Sequence, residues 1–137
     1  MNFSLFFSII SAIAAVVSIV GGILSYKNNQ FKAVNEFMSK IEDENFIEIK
    51  HYIYNNKNFS VVDKNSAILV NFFHHWGLLV KKRYLPLWVF DKATGRGACR
   101  LYEKVEPYIK KRREFNNDSS YGEYYEWLYY KLKKRYK

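Results

Sequence analysis

Side chains that could perform acid–base, nucleophilic or metal chemistry are few in this sequence of 137 residues. Its three histidines are His51, His74 and His75, and its one cysteine is Cys99. Because neighbouring residues of a helix point about 100° apart, His74 and His75 are poorly placed to bind one metal ion. A single thiol excludes an internal disulfide and a zinc site built from the cysteines of one chain.

Catalytic motifs do not occur in the sequence either. It contains no His-Glu-x-x-His metal motif, no Walker phosphate loop and no nucleophile elbow, and Gly95-Arg96-Gly97 falls short of a phosphate-binding loop. We interpret His75 as a histidine of the surface or the core edge, and Cys99 as a buried small apolar residue. The sequence therefore predicts a protein that is not an enzyme and has no catalytic residue, cofactor or metal site.

Basic residues form the most ordered chemical pattern in the sequence, whose formal net charge is +9. Residues 27–60 carry five basic and five acidic side chains, residues 61–95 five and two, and residues 96–137 twelve and six. Many of the basic residues fall into three clusters, and each cluster lies at a predicted helix end. The clusters are Lys81, Lys82 and Arg83; Lys110, Lys111, Arg112 and Arg113; and Lys131, Lys133, Lys134, Arg135 and Lys137.

An uncharged segment at residues 3–26 is the strongest feature of the N-terminal region. As a helix it would extend roughly 36 Å, enough to cross a hydrocarbon core of about 30 Å. A cleaved signal peptide is the alternative, because Ala12-Ile13-Ala14 resembles a cleavage site. However, no basic residue precedes the segment, and it is longer than the usual signal-peptide core. We therefore expect a retained transmembrane anchor at residues 1–26 and a helical domain at residues 27–137.

The charges that flank the anchor predict its orientation. No Lys or Arg precedes it, whereas Lys27, Lys32 and Lys40 follow it. Since positively charged flanks stay in the cytoplasm, we expect the N-terminus outside and the helical domain inside. The predicted location is the bacterial inner (plasma) membrane, crossed once, and the lone thiol agrees with a reducing compartment.

Small residues form a stripe along the anchor, with spacings that alternate between four and three residues. The stripe consists of Ser4, Ser8, Ser11, Ala15, Ser18, Gly22 and Ser25. This is the a/d spacing of a heptad, which indicates a left-handed helix pair. Small residues allow two membrane helices to approach closely, so the stripe predicts an anchor that associates with itself or with a partner helix. The alternative is the ordinary abundance of small residues in membrane helices.

The anchor bears on how the basic clusters are interpreted. Cations stabilise the C-terminal ends of helices, so the clusters fit solvated helix ends. They also fit binding to the anionic inner leaflet, or to nucleic acid. Because a tethered domain always has lipid phosphate beside it, we favour lipid over nucleic acid, and the helix-end interpretation stays open.

Helical periodicity dominates the remaining sequence, and alternating strand patterns are absent. A helix is predicted to continue from the anchor to about Glu42, a short second helix to include Phe46 and Ile53, and a third to begin near Asp63 or Asn65. The run Ala67–Val80 is too short and polar to be a second span.

The later helices are predicted from proline and glycine positions. Pro86 fits the first position of a short fourth helix through about Thr94, which Gly95-Arg96-Gly97 should end. A fifth helix carries Leu101 and Ile109 on one face, with a kink or restart expected at Pro107. Tyr121, Tyr124, Tyr125, Leu128 and Leu132 line a last helix.

The predicted fold is therefore all-α: a single N-terminal transmembrane helix followed by a small cytoplasmic bundle of about five helices. Hydrophobic residues make up 49% of the chain, too many for a disordered protein. The predicted core contains Phe72, Phe73, Trp76, Leu79, Leu101, Val105, Ile109 and Leu128.

Three segments carry a resemblance to a known family. They are Val70–Lys82 (VNFFHHWGLLVKK), Pro107–Arg113 (PYIKKRR) and Tyr124–Leu128 (YYEWL). Their order resembles the uncharacterised bacterial and phage family called domain of unknown function 4760, whose members have an N-terminal membrane helix and then a small helical domain. His74 stands where an acidic residue often follows Asn-Phe-Phe in that family, so no polar role is carried over there. The resemblance implies this architecture and no known activity, ligand or catalytic residue.

Taken together, these features favour a non-enzymatic, membrane-tethered interaction or regulatory module. The expected partners are the membrane, a second copy of the anchor, an unidentified protein and an anionic lipid surface. A membrane-active protein of the holin or toxin type is the alternative, although a folded domain of this size exceeds what such a role needs. A membrane-tethered nucleic-acid-binding domain is a further, less favoured alternative.

Overall fold

Five α-helices and one short 3₁₀ turn make up the computed structural model, which describes residues 2–136. The helices are α1 (Phe3–Ile41), α2 (Glu44–Asn55), α3 (Lys64–Lys81), α4 (Ala93–Asn116) and α5 (Glu123–Arg135), and the 3₁₀ turn is Leu87–Phe90. Within residues 2–136 there is no strand. The predicted all-α fold class, with a long apolar first helix before a helical bundle, is confirmed.

Helix α1 is continuous through the predicted boundary between anchor and domain. Its N-terminal part is exposed as far as Asn29, and this helix is long and apolar enough to cross a membrane. Its C-terminal part belongs to the bundle, because Phe37 is fully buried and contacts Trp76 and Phe90 at ring-centre distances of 5.3 and 4.9 Å. One rigid element therefore serves as both the apolar segment and the first helix of the bundle.

Aspartates fix the starts of α2 and α3. The Asp43 side chain accepts hydrogen bonds from the amides of Asn45 and Phe46, and the Asp63 side chain accepts one from the Ser66 amide. Such caps satisfy amides that have no partner inside the helix. The sequence predicted a start near Asp63 or Asn65, and the structure selects Asp63 as the cap.

In the region after α3, the prediction of a fourth helix from Pro86 to Thr94 is wrong. Only the 3₁₀ turn forms there, because Pro86 and Asp91 on either side are extended. Gly95-Arg96-Gly97 does not break a helix; it lies in the first turns of α4. Gly95 serves close packing instead, since an added Cβ would collide with the Phe90 carbonyl oxygen and lie 2.8 Å from the Tyr136 ring.

Proline also fails to interrupt α4, which continues from Ala93 to Asn116 with Pro107 inside it, so the expected restart does not occur. A proline inside a helix costs about 3 kcal/mol, because it removes one hydrogen bond and crowds the preceding turn. Val105, Tyr108 and Ile109 flank it and are at most 1% exposed, so burial on both sides holds the helix together.

Of the eight predicted core residues, six are buried: Phe73, Trp76, Leu101, Val105, Ile109 and Leu128. Phe72 and Leu79 are only partly buried and pack at the edge of the core. Tyrosines form much of the remaining interior; Tyr125 is completely buried, stacks on Phe73 at 4.6 Å, and donates a hydrogen bond to the Ala98 carbonyl.

Contacts between α3, α4 and α5 show how these helices run. Helices α3 and α5 point the same way, because Val70 lies beside Gly122 at the start of α5, whereas Lys81, at the end of α3, lies over the ring of Trp127, farther along α5. Helix α4 runs oppositely, since its Tyr108 meets Tyr121 just before α5. Consequently, α3 ends at one end of the bundle and α4 at the other.

Candidate membrane-facing surface

A long-range hydrogen bond joins the end of α3 to the end of the apolar segment. The hydroxyl of Tyr26 donates to the backbone carbonyl of Arg83 at 2.8 Å. Tyr26 is the last residue before the first charge of α1, at Lys27. The turn that follows α3 therefore lies where the apolar segment ends.

A Schellman motif gives this turn its shape. The Arg83 amide donates to the Val80 carbonyl at 3.0 Å and the Tyr84 amide to the Leu79 carbonyl at 2.9 Å. Arg83 takes a left-handed conformation with φ 64°, the conformation that usually selects glycine at this position. The sharp reversal leaves Arg83 and Tyr84 exposed while Leu85 is buried in the core.

An open cleft of about 460 Å³ lies between this turn, α1 and α5. Tyr26 and Gln30 line it from α1, Arg83 from the turn, and Trp127 and Lys131 from α5. The cleft therefore brings the first basic cluster together with Lys131, a member of the third.

Two large aromatic side chains are exposed close in sequence to Arg83: Tyr84, on the same turn, at 61%, and Trp88, in the 3₁₀ turn that follows, at 52%. Their neighbours Leu85 and Val89 are buried and fix the backbone that carries them. We call the exposed side chains of this region the anchor-end surface: Lys81, Lys82, Arg83, Tyr84, Trp88 and Lys131.

The second basic cluster lies at the opposite end of the bundle, in the last turns of α4. Lys111 donates to the Phe59 carbonyl at 3.4 Å and Arg112 to the Val61 carbonyl at 2.8 Å, so both hold the loop before α3. Arg113 donates to the Tyr121 carbonyl and pairs with Glu126 at 2.8 Å. Lys110 pairs with Glu106 one turn earlier. These basic groups tie connecting segments to the end of α4.

The side chains of the third cluster contact different parts of the protein. Lys133 pairs with Glu103, and Arg135 pairs with Asp91 at 2.8 Å, so both fasten α5 to neighbouring segments. Lys131 lines the cleft and Lys134 is exposed, while Lys137 lies outside the described residues. The four described residues of this cluster do not form one surface.

The small-residue stripe of α1 is exposed over its whole length, as are the other residues of the apolar segment. The Ser8 hydroxyl donates to the Ser4 carbonyl at 2.9 Å, one turn earlier in the same helix. Gly21 and Gly22 have no atom within 4 Å of where a Cβ would stand, so the helix surface is open there.

A known protein family matches this chain over both the apolar segment and the bundle. Residues 5–132 match the sequence profile described as Domain of unknown function (DUF4760). The chain belongs to this family. No curated protein and no solved structure matches it significantly. The match extends from the first turn of α1 to the last turn of α5, so this DUF4760 domain includes the apolar helix as part of its unit.

The histidines and the cysteine of this DUF4760 chain are dispersed. His74 Nδ1 accepts a hydrogen bond from the Tyr124 amide at 3.4 Å, and burial lowers the His74 pKa against the opposing effect of Glu123. His75 is exposed beside the Trp76 ring. Cys99 is half-buried rather than buried as predicted, because it lies at the rim of α4, and burial raises its pKa. Within residues 2–136, no three metal-binding side chains come together.

A second cavity, of about 390 Å³, lies between the end of α1, α2 and the start of α4. Met38, Ile47 and Leu101 give it apolar walls, and Lys50 lies at its edge, donating to the Ile41 carbonyl at 3.1 Å. Burial lowers the Lys50 pKa against the opposing effect of Glu42. Sequence patterns did not indicate this cavity, because its lining comes from four helices, α3 included through Phe73, that periodicity treats separately.

Proposed function

We propose that this DUF4760 protein is a non-enzymatic, membrane-tethered interaction or regulatory module that holds its helical bundle in a fixed orientation against the membrane. The observation that carries the proposal is the continuity of α1 from Phe3 to Ile41. A domain that needed only confinement to a membrane would be served by a flexible linker. Here the apolar segment and the first helix of the bundle are one element, so the bundle cannot rotate freely.

A second attachment supports the same proposal. The hydrogen bond from Tyr26 to Arg83 joins the α3 turn to α1 at the end of the apolar segment. With α1 spanning the membrane, the two attachments fix which end of the bundle faces the lipid. The opposite end, with the second basic cluster, then points away from the membrane and is available to an unidentified protein partner.

The proposed topology places the N-terminus outside and residues 27–137 in the cytoplasm, at the inner membrane of a bacterium. The positive-inside rule supports it, since Lys27 is the first charge after the apolar segment. A self-associating anchor and an anionic lipid surface are further proposed contacts.

Membrane retention and topology test the tether. We expect the full-length chain to stay in the pellet after an alkaline carbonate wash. We also expect its C-terminal domain to be digested by protease only when the membrane is opened. A mature chain that begins near Ala15 or Val16 would show a cleaved signal peptide and refute the proposal. Rapid dye entry on induction of the intact protein would favour the holin- or toxin-like alternative.

Fixed orientation is tested by inserting residues after Asn29, where the continuously exposed part of α1 ends. A flexible Gly-Ser insertion and an equally long Ala insertion are compared, with a photo-crosslinker at the exposed Phe115 far from the anchor. We expect a discrete crosslinked species from the unmodified protein in cells, which the flexible insertion weakens more than the helical one. Equal crosslinking in all three proteins would contradict a functional need for orientation.

A further inference from the structure

We infer that the anchor-end surface binds the anionic headgroups of the membrane leaflet into which α1 inserts. This inference deepens the proposed tether and rests on it. Lys81, Lys82, Arg83 and Lys131 supply the positive charge, and Tyr84 and Trp88 supply aromatic side chains that suit the membrane interface. The lipid surface is therefore a specific ligand of the bundle and not only the medium around α1.

Position is the first argument. Tyr26 ends the apolar segment and bonds directly to the backbone of Arg83, so the α3 turn lies at the depth where headgroups begin. Lys131 lies across the same cleft.

The availability of the charges is the second argument. In residues 2–136 the four ion pairs involve Lys110, Arg113, Lys133 and Arg135, all from the second and third clusters. The four cations of the anchor-end surface are in none of those pairs, and all four are exposed. Most basic residues of the second and third clusters are thus engaged by acidic or carbonyl groups of the protein, whereas Lys81 contacts only aromatic rings and keeps its charge uncompensated, as do Lys82, Arg83 and Lys131.

The aromatic side chains are the third argument. Trp and Tyr are enriched where membrane meets water, because each ring has an apolar body and a polar edge. Tyr84 is exposed on the turn that carries Arg83, and Trp88 is exposed in the 3₁₀ turn four residues later, whereas their neighbours Leu85 and Val89 are buried. The segment from Arg83 to Trp88 therefore exposes aromatic rings next to cations, which is typical of a loop at a membrane interface.

The test uses the full-length chain reconstituted in phosphatidylcholine vesicles that contain increasing phosphatidylglycerol. A small constant fraction of headgroup-nitroxide phosphatidylcholine quenches tryptophans near the interface, and subtraction of the Trp88→Phe protein isolates the Trp88 signal. We expect quenching of Trp88 to rise with phosphatidylglycerol and to fall in high salt. In the variant Lys82→Gln/Arg83→Gly/Lys131→Gln the equilibrium constant for surface contact should fall by about fivefold for each charge removed, so Trp88 quenching should stay lower at every phosphatidylglycerol content.

Control variants separate this inference from the tether itself. Glycine at position 83 suits the left-handed backbone there, so the triple variant should keep its fold, which circular dichroism checks. Lys57→Gln/Lys64→Gln/Lys110→Gln removes the same charge at exposed sites away from the anchor-end surface and should leave quenching unchanged. Equal quenching in neutral and anionic vesicles would overturn the inference even if the chain resisted carbonate extraction. A Trp88 shielded from lipid in both vesicles would indicate a protein over this surface and would overturn it as well.

Discussion

The carboxylate of Asp63 stabilises the start of α3 through two hydrogen bonds. Its side chain accepts a hydrogen bond from the Ser66 amide at 2.8 Å and another from the Tyr52 hydroxyl at 2.6 Å. Burial raises the Asp63 pKa, but the hydrogen bonds from Ser66 and Tyr52 outweigh it, and the net shift is downward from 3.8. The folded protein therefore favours the charged form of Asp63 more strongly than the unfolded chain does.

The first prediction concerns the pH dependence that follows from Asp63. Because its folded pKa is lowered, its contribution is complete above the unfolded value near 3.8 and is lost as the pH falls through the folded pKa. Asp63→Ala should lower the free energy of unfolding at neutral pH by about 0.5–2 kcal/mol. Thermal unfolding of the full chain in detergent, followed by circular dichroism, measures this.

Asparagine at position 63 is the matched control for that prediction. It caps helices about as well as aspartate but does not titrate. Asp63→Asn should therefore retain most of the stability at neutral pH and lose less than the wild-type protein between about pH 5 and pH 2. Identical acid profiles for the two proteins would contradict a role for the Asp63 charge.

At the scale of elements, the contact between α3 and α5 depends on a glycine. An added Cβ at Gly77 would collide with the Tyr124 carbonyl oxygen and lie 2.9 Å from its carbonyl carbon. Both clashes are with backbone, which cannot move aside as a flexible side chain can. This close approach lets Phe73 stack on Tyr125 in the middle of the core.

The second prediction is that Gly77→Ala destabilises the bundle by about 1–3 kcal/mol, because overpacking would push α5 away from α3. Gly97→Ala is the matched control, since Gly97 is also helical but has no atom within 4 Å of its Cβ position. Alanine favours a helix over glycine by about 1 kcal/mol, so the control should be neutral or stabilising. Urea unfolding in detergent compares them, and equal losses would contradict the packing argument.

Sequence periodicity predicted the elements whose signals are local. The start of α3 at Asp63 and the single long helix α1 follow from capping and apolar spacing, which neighbouring residues determine. The region from Pro86 to Gly97 was predicted wrongly, because the role of Gly95 depends on its contact with Phe90 and Tyr136 rather than on its own neighbours. A glycine that allows close packing has the same sequence signal as one that ends a helix.

The candidate site also depends on tertiary contacts that the sequence does not reveal. The basic clusters of the site can be recognised in the sequence. The sequence does not reveal which of these clusters lies near the apolar segment. Tyr26 and Arg83 are 57 positions apart, and their contact depends on how α1 and α3 are arranged in the bundle. Tertiary neighbours also decide whether a cation is paired, as Lys133 is with Glu103, or belongs to none of the ion pairs of residues 2–136, as Lys82 does.

For the whole molecule, α1 determines how a second copy could approach. Tyr26, Gln30 and Phe37 mark the side of α1 that faces the bundle, whereas Gly22 and Ser25 belong to the small-residue stripe. At about 100° per residue, the stripe lies roughly a quarter turn from the bundle side. Two anchors can therefore meet along the stripe without either bundle standing between them.

The last prediction is that the anchor self-associates through this stripe. Replacing Ser11, Ala15 and Ser18 with leucine keeps the segment apolar and able to span a membrane, but it fills the groove that allows two backbones to approach. Association in a membrane two-hybrid reporter should weaken. The same change at Ile10, Ile13 and Val17, away from the stripe, should have little effect.

Two other outcomes of that experiment distinguish between the functional alternatives. Equal signals from both triple variants would show that the stripe reflects composition alone. An anchor that gives no homotypic signal, but recovers one when a native partner is co-expressed, would assign the stripe to a different protein. That result would favour the interaction module over a membrane lesion, because a pore requires copies of the same helix to meet, whereas an oriented module needs only one partner.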